Sequence, residues 1–240
     1  MKIITHQQIT LVINPQHADE VDTEFFNPDW WQQQQAIIGQ SRGRGITWFV
    51  RFKDKELVLR HYYRGGLLGK CLHDRYVFTA LNRTRAVAEY RLLLAMQAQN
   101  LPVPTPWAVR IERFGLFYRM DILLERIHGA RDLVQILRTQ ALTPAQWVDI
   151  GCTLQRFHQA GIYHADLNSH NILLDGDNKV WLIDFDKGEQ RAAGTWQQAN
   201  LQRLYRSLCK EATLHLQWHW QAADWAHLLA GYAGSNACMA

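Results

Sequence analysis

Cysteine is scarce and unpatterned in this chain: Cys71, Cys152, Cys209 and Cys238 are scattered, with no Cys-x-x-Cys pair. A cysteine zinc site and a disulfide framework are therefore not indicated, and reduced thiols are the expectation. The histidines make no His-x-x-x-His pattern on a helix, the usual signature of a helical metal site. Long apolar runs are missing too. Nowhere do about 18 apolar residues follow one another, so no segment is expected to span a bilayer. The opening Met1-Lys-Ile-Ile-Thr-His-Gln-Gln has no apolar core of the length a secretion signal needs. The expectation is a protein made and kept in the cytoplasm. Neither sign of charge dominates. A net charge of +4 fits a nucleotide, a phosphorylated lipid or an acidic sugar as partner without demanding one, and nothing points to nucleic acid.

What the chain does have is an ordinary globular composition, 48% hydrophobic and 20% charged, and a length of 240 residues that can bury a sizeable core in one large domain or two lobes. Its most informative stretch is 161–186. Leu173-Leu174 and Val180-Trp-Leu-Ile183 read as two short strands around the turn Asp175-Gly-Asp-Asn178. Asp166 and Asn171 precede the first strand and Asp184 follows the second, which gathers hard oxygen ligands at one end of a hairpin. Such a set suits Mg²⁺ held together with phosphate oxygens, and leaves the Asp166 carboxylate to orient a hydroxyl and accept its proton. The plainer alternative is that these residues merely cap turns.

Asp166, Asn171 five positions on, then Asp184-Phe185 match in order and spacing the catalytic loop and metal motif of the protein-kinase-like superfamily. The wording around them (Tyr163-His-Ala-Asp-Leu-Asn-Ser-His-Asn-Ile-Leu and Leu182-Ile-Asp-Phe-Asp-Lys-Gly) resembles more closely the 3-deoxy-D-manno-octulosonic acid (Kdo) kinases, a lipopolysaccharide kinase family. The resemblance runs over nearly the whole chain. It implies an α+β, bilobal protein-kinase-like fold, with an antiparallel-sheet lobe over 1–125 and a reduced helical lobe over 126–240. It also implies ATP and Mg²⁺ as cofactors, Asp166 as catalytic base, and Asn171 and Asp184 as metal ligands. The implied acceptor is the 4-hydroxyl of Kdo on a lipid A precursor, met by peripheral contact with the anionic cytosolic face of the inner membrane.

The rest of the chain is read in that light. Ile9–Ile13 is a strand, and 29–36 a short Trp- and Gln-rich helix. Ile37 to Val50 reads as strand, glycine turn, strand, and Gly43 and Gly45 could bring backbone N–H groups to phosphates or simply turn a hairpin. In the next strand alternation puts Val58 and Arg60 on one face, Val58 suited to an adenine ring and Arg60 to phosphates. The superfamily has lysine where Arg60 stands. Glu89, on a helix read over 82–99, stands where the family's helix glutamate pairs with that cation. Between them, Arg64, Lys70 and Arg75 could meet an anionic sugar or lipid phosphate, or be ordinary surface charges. After the stiff Pro102-Val-Pro-Thr-Pro106, an antiparallel pair ends near Glu125 and Ile127, where the resemblance puts backbone groups against the adenine edge.

Thr143-Pro-Ala-Gln146 is a capping box opening a core helix that Gly161 ends, with His158 a packed residue of that helix. Thr195 is expected to cap a helix with Leu201, Leu204, Tyr205 and Leu208 inward and Arg203, Arg206 and Lys210 on the opposite face, a basic stripe read as solvated, with contact to phospholipid headgroups the alternative. Trp218, Trp220 and Trp225 suit a final helix, as core in preference to an interfacial anchor. Only residues 187–240 follow the metal motif, too few for the long activation segment and large helical subdomain that hold a peptide, so no protein substrate is expected. Asn168 stands where many kinases have a lysine, and Lys187 or Arg191 are the cations considered in its place. Another glycolipid or small-molecule kinase (heptose kinase or aminoglycoside-type phosphotransferase) and a nucleotide-binding pseudokinase are the rival readings.

Overall fold

The computed structural model describes residues 1–43, 45–64 and 73–234. Lys70, Cys71 and Cys238 lie outside the described residues. The chain divides into two compact units, one of residues 1–94 with 104–126 and the other of residues 95–103 with 127–240.

The first unit is built on an antiparallel sheet. Its elements are β1 (Lys2–His6), β2 (Ile9–Ile13), the short helix α1 (Pro28–Gln33), β3 (Ile37–Arg42), β4 (Ile46–Phe52), β5 (Lys55–His61), β6 (Tyr76–Val77), helix α2 (Arg85–Gln97), β7 (Pro106–Phe114) and β8 (Phe117–Glu125). The spatial order is β1-β2-β7-β8-β5-β4-β3, with β6 also paired to β8. The sequence reading did not foresee β1, whose residues are all exposed. Strand alternation gives the sheet two distinct faces. Leu57, Leu59, Leu123, Ile13 and Leu11 point to one side, where Phe25, Phe26, Trp31 and Trp107 complete a buried aromatic cluster. On the other side lies α2: the Ala86 N–H reaches the Met120 sulfur at 3.4 Å, and Val87, Tyr90 and Leu93 are buried. Arg60 belongs to this second face. The α2 helix starts at Arg85, after a 3₁₀ turn over Leu81–Arg83, later than the periodicity suggests.

The second unit comprises β9 (Arg131–Asp132), α3 (Leu133–Leu137), α4 (Pro144–Gln159), β10 (Ile162–Tyr163), β11 (Ile172–Leu174), β12 (Val180–Leu182), β13 (Glu189–Gln190), α5 (Trp196–Leu214) and α6 (Ala222–Tyr232). The expected capping box opens α4: the Gln146 amide N–H donates to the Thr143 hydroxyl, and the Thr143 N–H to the Gln146 side chain. Such a cap is worth about 1 kcal/mol. Gly161, at φ +73°, ends the helix. The core face of α4 buries Trp147, Ile150, Leu154 and Phe157. Helices α4 and α6 meet backbone to backbone. A Cβ on Gly151 would fall 2.0 Å from the Leu228 carbonyl oxygen, and one on Gly231 would fall 2.1 Å from that of Val148.

Two expectations for this unit fail. Thr195 is itself helical in φ and ψ and makes no side-chain cap; one residue earlier, the Gly194 N–H donates to the Gln197 side chain. Trp218, Trp220 and Trp225 are half-buried rather than core, and Tyr205 is exposed, its ring packing beside Trp220 and Trp225 at 5.8 and 5.1 Å between centroids. Among the described residues, Cys209 is a free thiol, as expected.

Candidate active site

The stretch 162–190 begins and ends in one small pairing, β10 with β13, where Ile162 faces Gln190 and Tyr163 faces Glu189. Within it, β11 and β12 form the expected hairpin, with Ile172 opposite Leu182 and Leu174 opposite Val180. The turn is closed by the Asp175 carboxylate, which accepts from the N–H groups of Asp177 and Lys179 and from the Trp181 indole. At the open end the Ile183 N–H donates to the Asn171 carbonyl at 3.1 Å, so the residue before Asp184 is fixed to the residue that ends the catalytic loop.

His164 makes the second tie. Its Nδ1 accepts from the Asp166 N–H at 3.1 Å, so the ring proton sits on Nε2, which donates to the Ile183 carbonyl at 2.9 Å. Burial holds its pKa below the ordinary histidine value, which keeps the ring neutral as both bonds require. Its ring lies 4.7 Å from that of Phe185, which in turn stacks on Phe157 of α4 at 5.8 Å. The sequence reading noted His164 only by position; this bridging role was missed.

Asn171 is buried and donates from Nδ2 to the Asp166 carbonyl at 2.9 Å. That leaves Oδ1, the end of an amide that can coordinate a cation. Asp184 adopts φ +62°, a backbone region rare for residues other than glycine and frequent at functional sites. An amide oxygen and carboxylates are the donor chemistry a magnesium ion takes, so the residues present fit that ion. Among the described residues, no cluster of three or more His, Cys, Asp and Glu offers a rival metal site.

Asp166 is partly exposed, and its Oδ1 accepts from Arg203 Nε at 3.0 Å and from Arg203 Nη2. Arg203 is exposed, as expected of the solvated side of α5, and in addition pairs with the loop, a contact not foreseen. The helix presents Asn200, Arg203 and Ser207 to the loop: Asn200 bonds both the N–H and the carbonyl of His164, and the Ser207 hydroxyl meets the N–H and hydroxyl of Ser169. Spacings of three and four residues put these side chains on one helix face, the signal that could have found them. Arg206 and Lys210 are exposed as expected. Asn168 is used within the loop, donating to the Asp166 carbonyl and accepting from the His170 N–H. Arg191 is engaged with Glu189 and lies 3.6 Å from the centre of the Tyr163 ring, while Lys187 is exposed.

In the first unit, Arg60 meets Glu89 as expected. Its Nη2 lies 2.7 Å from both carboxylate oxygens, and Glu89 is 2% exposed. Tyr62, not foreseen, completes the group: its hydroxyl donates to Glu89 at 2.6 Å and its ring lies under the Arg60 guanidinium at 4.9 Å. Such a buried carboxylate fixes the cation's position along the strand. Val58 is half-buried between Phe49 and Leu124 in the sheet register. The Gly43 N–H closes the β3–β4 turn onto the Gly45 carbonyl at 2.9 Å, and the space a Gly45 Cβ would take is filled by the Tyr63 ring. Both glycines are thus used by the hairpin itself. The Glu125 N–H donates to the Thr105 carbonyl and its carboxylate accepts from Lys55 Nζ at 2.8 Å, while in the second unit the Ile127 carbonyl accepts from the Ala130 N–H. Arg64 and Arg75 lie over the Tyr76 and Phe114 rings.

Comparison with known proteins agrees with these motifs. The model of the lipopolysaccharide kinase (Kdo/WaaP) family matches residues 28–232. A 3-deoxy-D-manno-octulosonic acid kinase of Photobacterium damsela subsp. piscicida is 46% identical over 212 residues, 88% of each chain. Proteins of the same name from Actinobacillus succinogenes and Haemophilus influenzae are 45% and 44% identical, the first over 88% of this chain and 90% of its own, the second over 92% and 95%. The chain belongs to the lipopolysaccharide kinase (Kdo/WaaP) family.

Proposed function

We propose that this protein transfers the γ-phosphoryl group of ATP to the 4-hydroxyl of Kdo carried on a lipid A precursor, in lipopolysaccharide biosynthesis. The observation that carries this is the joining of Asp166, Asn171 and the Asp184 strand by His164 and the Ile183 backbone, in a chain of this family. ATP supplies the phosphoryl group, and Mg²⁺ bound with it offsets phosphate charge. Asn171 and Asp184 are the residues that would hold the ion. Asp166 orients the acceptor hydroxyl and takes its proton at the carboxylate. Arg60, steadied by Glu89 and Tyr62, binds phosphate oxygens, and the backbone near Glu125 and Ile127, with Val58, receives the base.

No helix among the described residues is long and apolar enough to cross a membrane. The lipid-borne acceptor is met by peripheral contact with the anionic cytosolic face of the inner membrane, to which exposed Arg206 and Lys210 offer positive charge. Purified protein given labelled ATP and a Kdo-bearing lipid, with and without EDTA, tests the reading. Magnesium-dependent label on Kdo supports it, and Asp166→Ala should abolish transfer while leaving Mg·ATP binding in place. Label appearing only on a heptose-bearing core, or full activity of Asp166→Ala, would overturn it.

A further inference from the structure

Arg203 is the one cation that the described residues place on the proposed base, and the pairing is asymmetric. Two of its nitrogens, Nε and Nη2, converge on Oδ1 of Asp166. The other carboxylate oxygen, Oδ2, is then the one left to face an acceptor hydroxyl. The guanidinium itself carries further N–H groups, in a rigid plane that suits a second carboxylate. The Arg203 side chain is 47% accessible, so a ligand can reach those groups. Its helix is held firmly: Asn200 and Ser207, one turn to either side on the same face, are both bonded to the loop that carries Asp166. The guanidinium is therefore a fixed neighbour of the base.

We propose that Arg203 is the acceptor-reading residue of this site, binding the carboxylate of an acidic sugar whose hydroxyl is presented to Asp166. The proposal rests on the reading of the protein as a Kdo kinase and names the residue that would recognise the acid. In a 3-deoxy-2-ulosonic acid the carboxyl group is borne on C2 and the reacting hydroxyl on C4, two ring carbons apart. Recognising both calls for a base and a carboxylate receptor side by side, which is what Asp166 and Arg203 are. Electrostatics makes the need specific to an acidic acceptor. A sugar carboxylate approaching an aspartate base meets like charge, an unfavourable juxtaposition where no cation intervenes. A neutral sugar has no such requirement. Asn168 is neutral and committed to the loop, and Arg191 is committed to Glu189 and Tyr163, so neither stands in for Arg203.

The test is a cycle of enzyme and acceptor. Transfer is measured for the wild type, Arg203→Gln and Arg203→Lys with the Kdo-bearing lipid and with the same lipid whose Kdo carboxyl is converted to the carboxamide. The wild type should prefer the acid by about 100-fold in kcat/KM. Arg203→Gln should lose about that factor on the acid and show no preference between the two acceptors, with the KM for ATP unmoved. Arg203→Lys should retain part of the preference. If Arg203→Gln slows acid and amide alike, so that the ratio survives, Arg203 acts only by holding Asp166 or on the phosphoryl group, and the proposal falls. A wild type that uses acid and amide equally well overturns this proposal alone. A wild type that phosphorylates no Kdo acceptor in either form overturns the Kdo reading and this proposal with it.

Discussion

The imidazole of His164 donates to the carbonyl of Ile183 at 2.9 Å, and so one neutral ring joins the loop of Asp166 to the strand end that carries Asp184. Its partners are both backbone atoms, which makes the link one of position. His164→Phe keeps an aromatic ring beside Phe185 and removes both hydrogen bonds. The expected result is a fall in kcat of about 100-fold, the scale of a misplacement near 1 Å, with the KM for ATP little changed. Steady-state kinetics checks this, and an unaltered kcat would show that the bridge does not align the acids.

Arg60 stands where the superfamily has lysine, and the contact explains why either cation can serve. A single nitrogen, Nη2, reaches both oxygens of Glu89, so the pair does not use the guanidinium fork. Arg60→Lys should keep transfer within about 10-fold of wild type, whereas Arg60→Met should lose roughly 100- to 1,000-fold, the cost of removing a phosphate-stabilising charge. Glu89→Ala should also destabilise the sheet unit by about 3 kcal/mol, because it leaves a cation without its buried partner. Chemical denaturation and ATP-dependence of the rate separate the two effects.

The legible parts of this site are the local ones. Asp166, Asn171 and Asp184 lie on one strand-turn-strand, where spacing alone dictates proximity, and the structure fixes Asn171 to Ile183 through one backbone bond. The pairing of Arg60 with Glu89 was found only through the family resemblance, since a strand cation and a helix glutamate 29 residues apart leave no local signal. Tyr62 was missed because an aromatic residue two positions along a strand reads simply as core. The pairing of Arg203 with Asp166 was missed for a related reason: polar residues at helical spacing look the same whether they face water alone or also a polar loop. The indoles of Trp218 and Trp220, between α5 and α6, and of Trp225 on α6 were over-assigned to the core because Trp hydrophobicity says nothing of how much partner surface is at hand, and here the three rings end half-buried.

Gly151 and Gly231 predict a stability effect far from the chemistry. Each sits where a methyl group would strike backbone of the facing helix, 2.0 Å from Leu228 O and 2.1 Å from Val148 O. Backbone cannot swing aside as a side chain can. Gly151→Ala should therefore destabilise the protein by about 2–3 kcal/mol even though alanine favours helix. Gly43→Ala, where a Cβ meets nothing within 4 Å, should be near neutral. Thermal unfolding of the two variants gives the comparison; equal midpoints would mean the helices part easily at this crossing.

His158 sets a pH dependence with a definite sign. It is buried on α4, bonded through Nδ1 to the Tyr232 hydroxyl of α6 at 2.7 Å, and burial lowers its pKa to about 4 from an ordinary 6.5. The unfolded chain therefore binds a proton that the folded one refuses between those two values. By linkage, stability rises with pH across that window and falls on acidification below about 6.5, by roughly 3 kcal/mol once the folded pKa is reached. His158→Gln removes the titrating group. Its unfolding free energy, measured from about pH 4 to 7, should lack that component of the wild-type slope, so the difference between the two proteins shrinks or reverses at the acid end. Parallel curves would mean that His158 takes up its proton as readily in the folded state as in the unfolded one, and that the α4–α6 contact tolerates its charge.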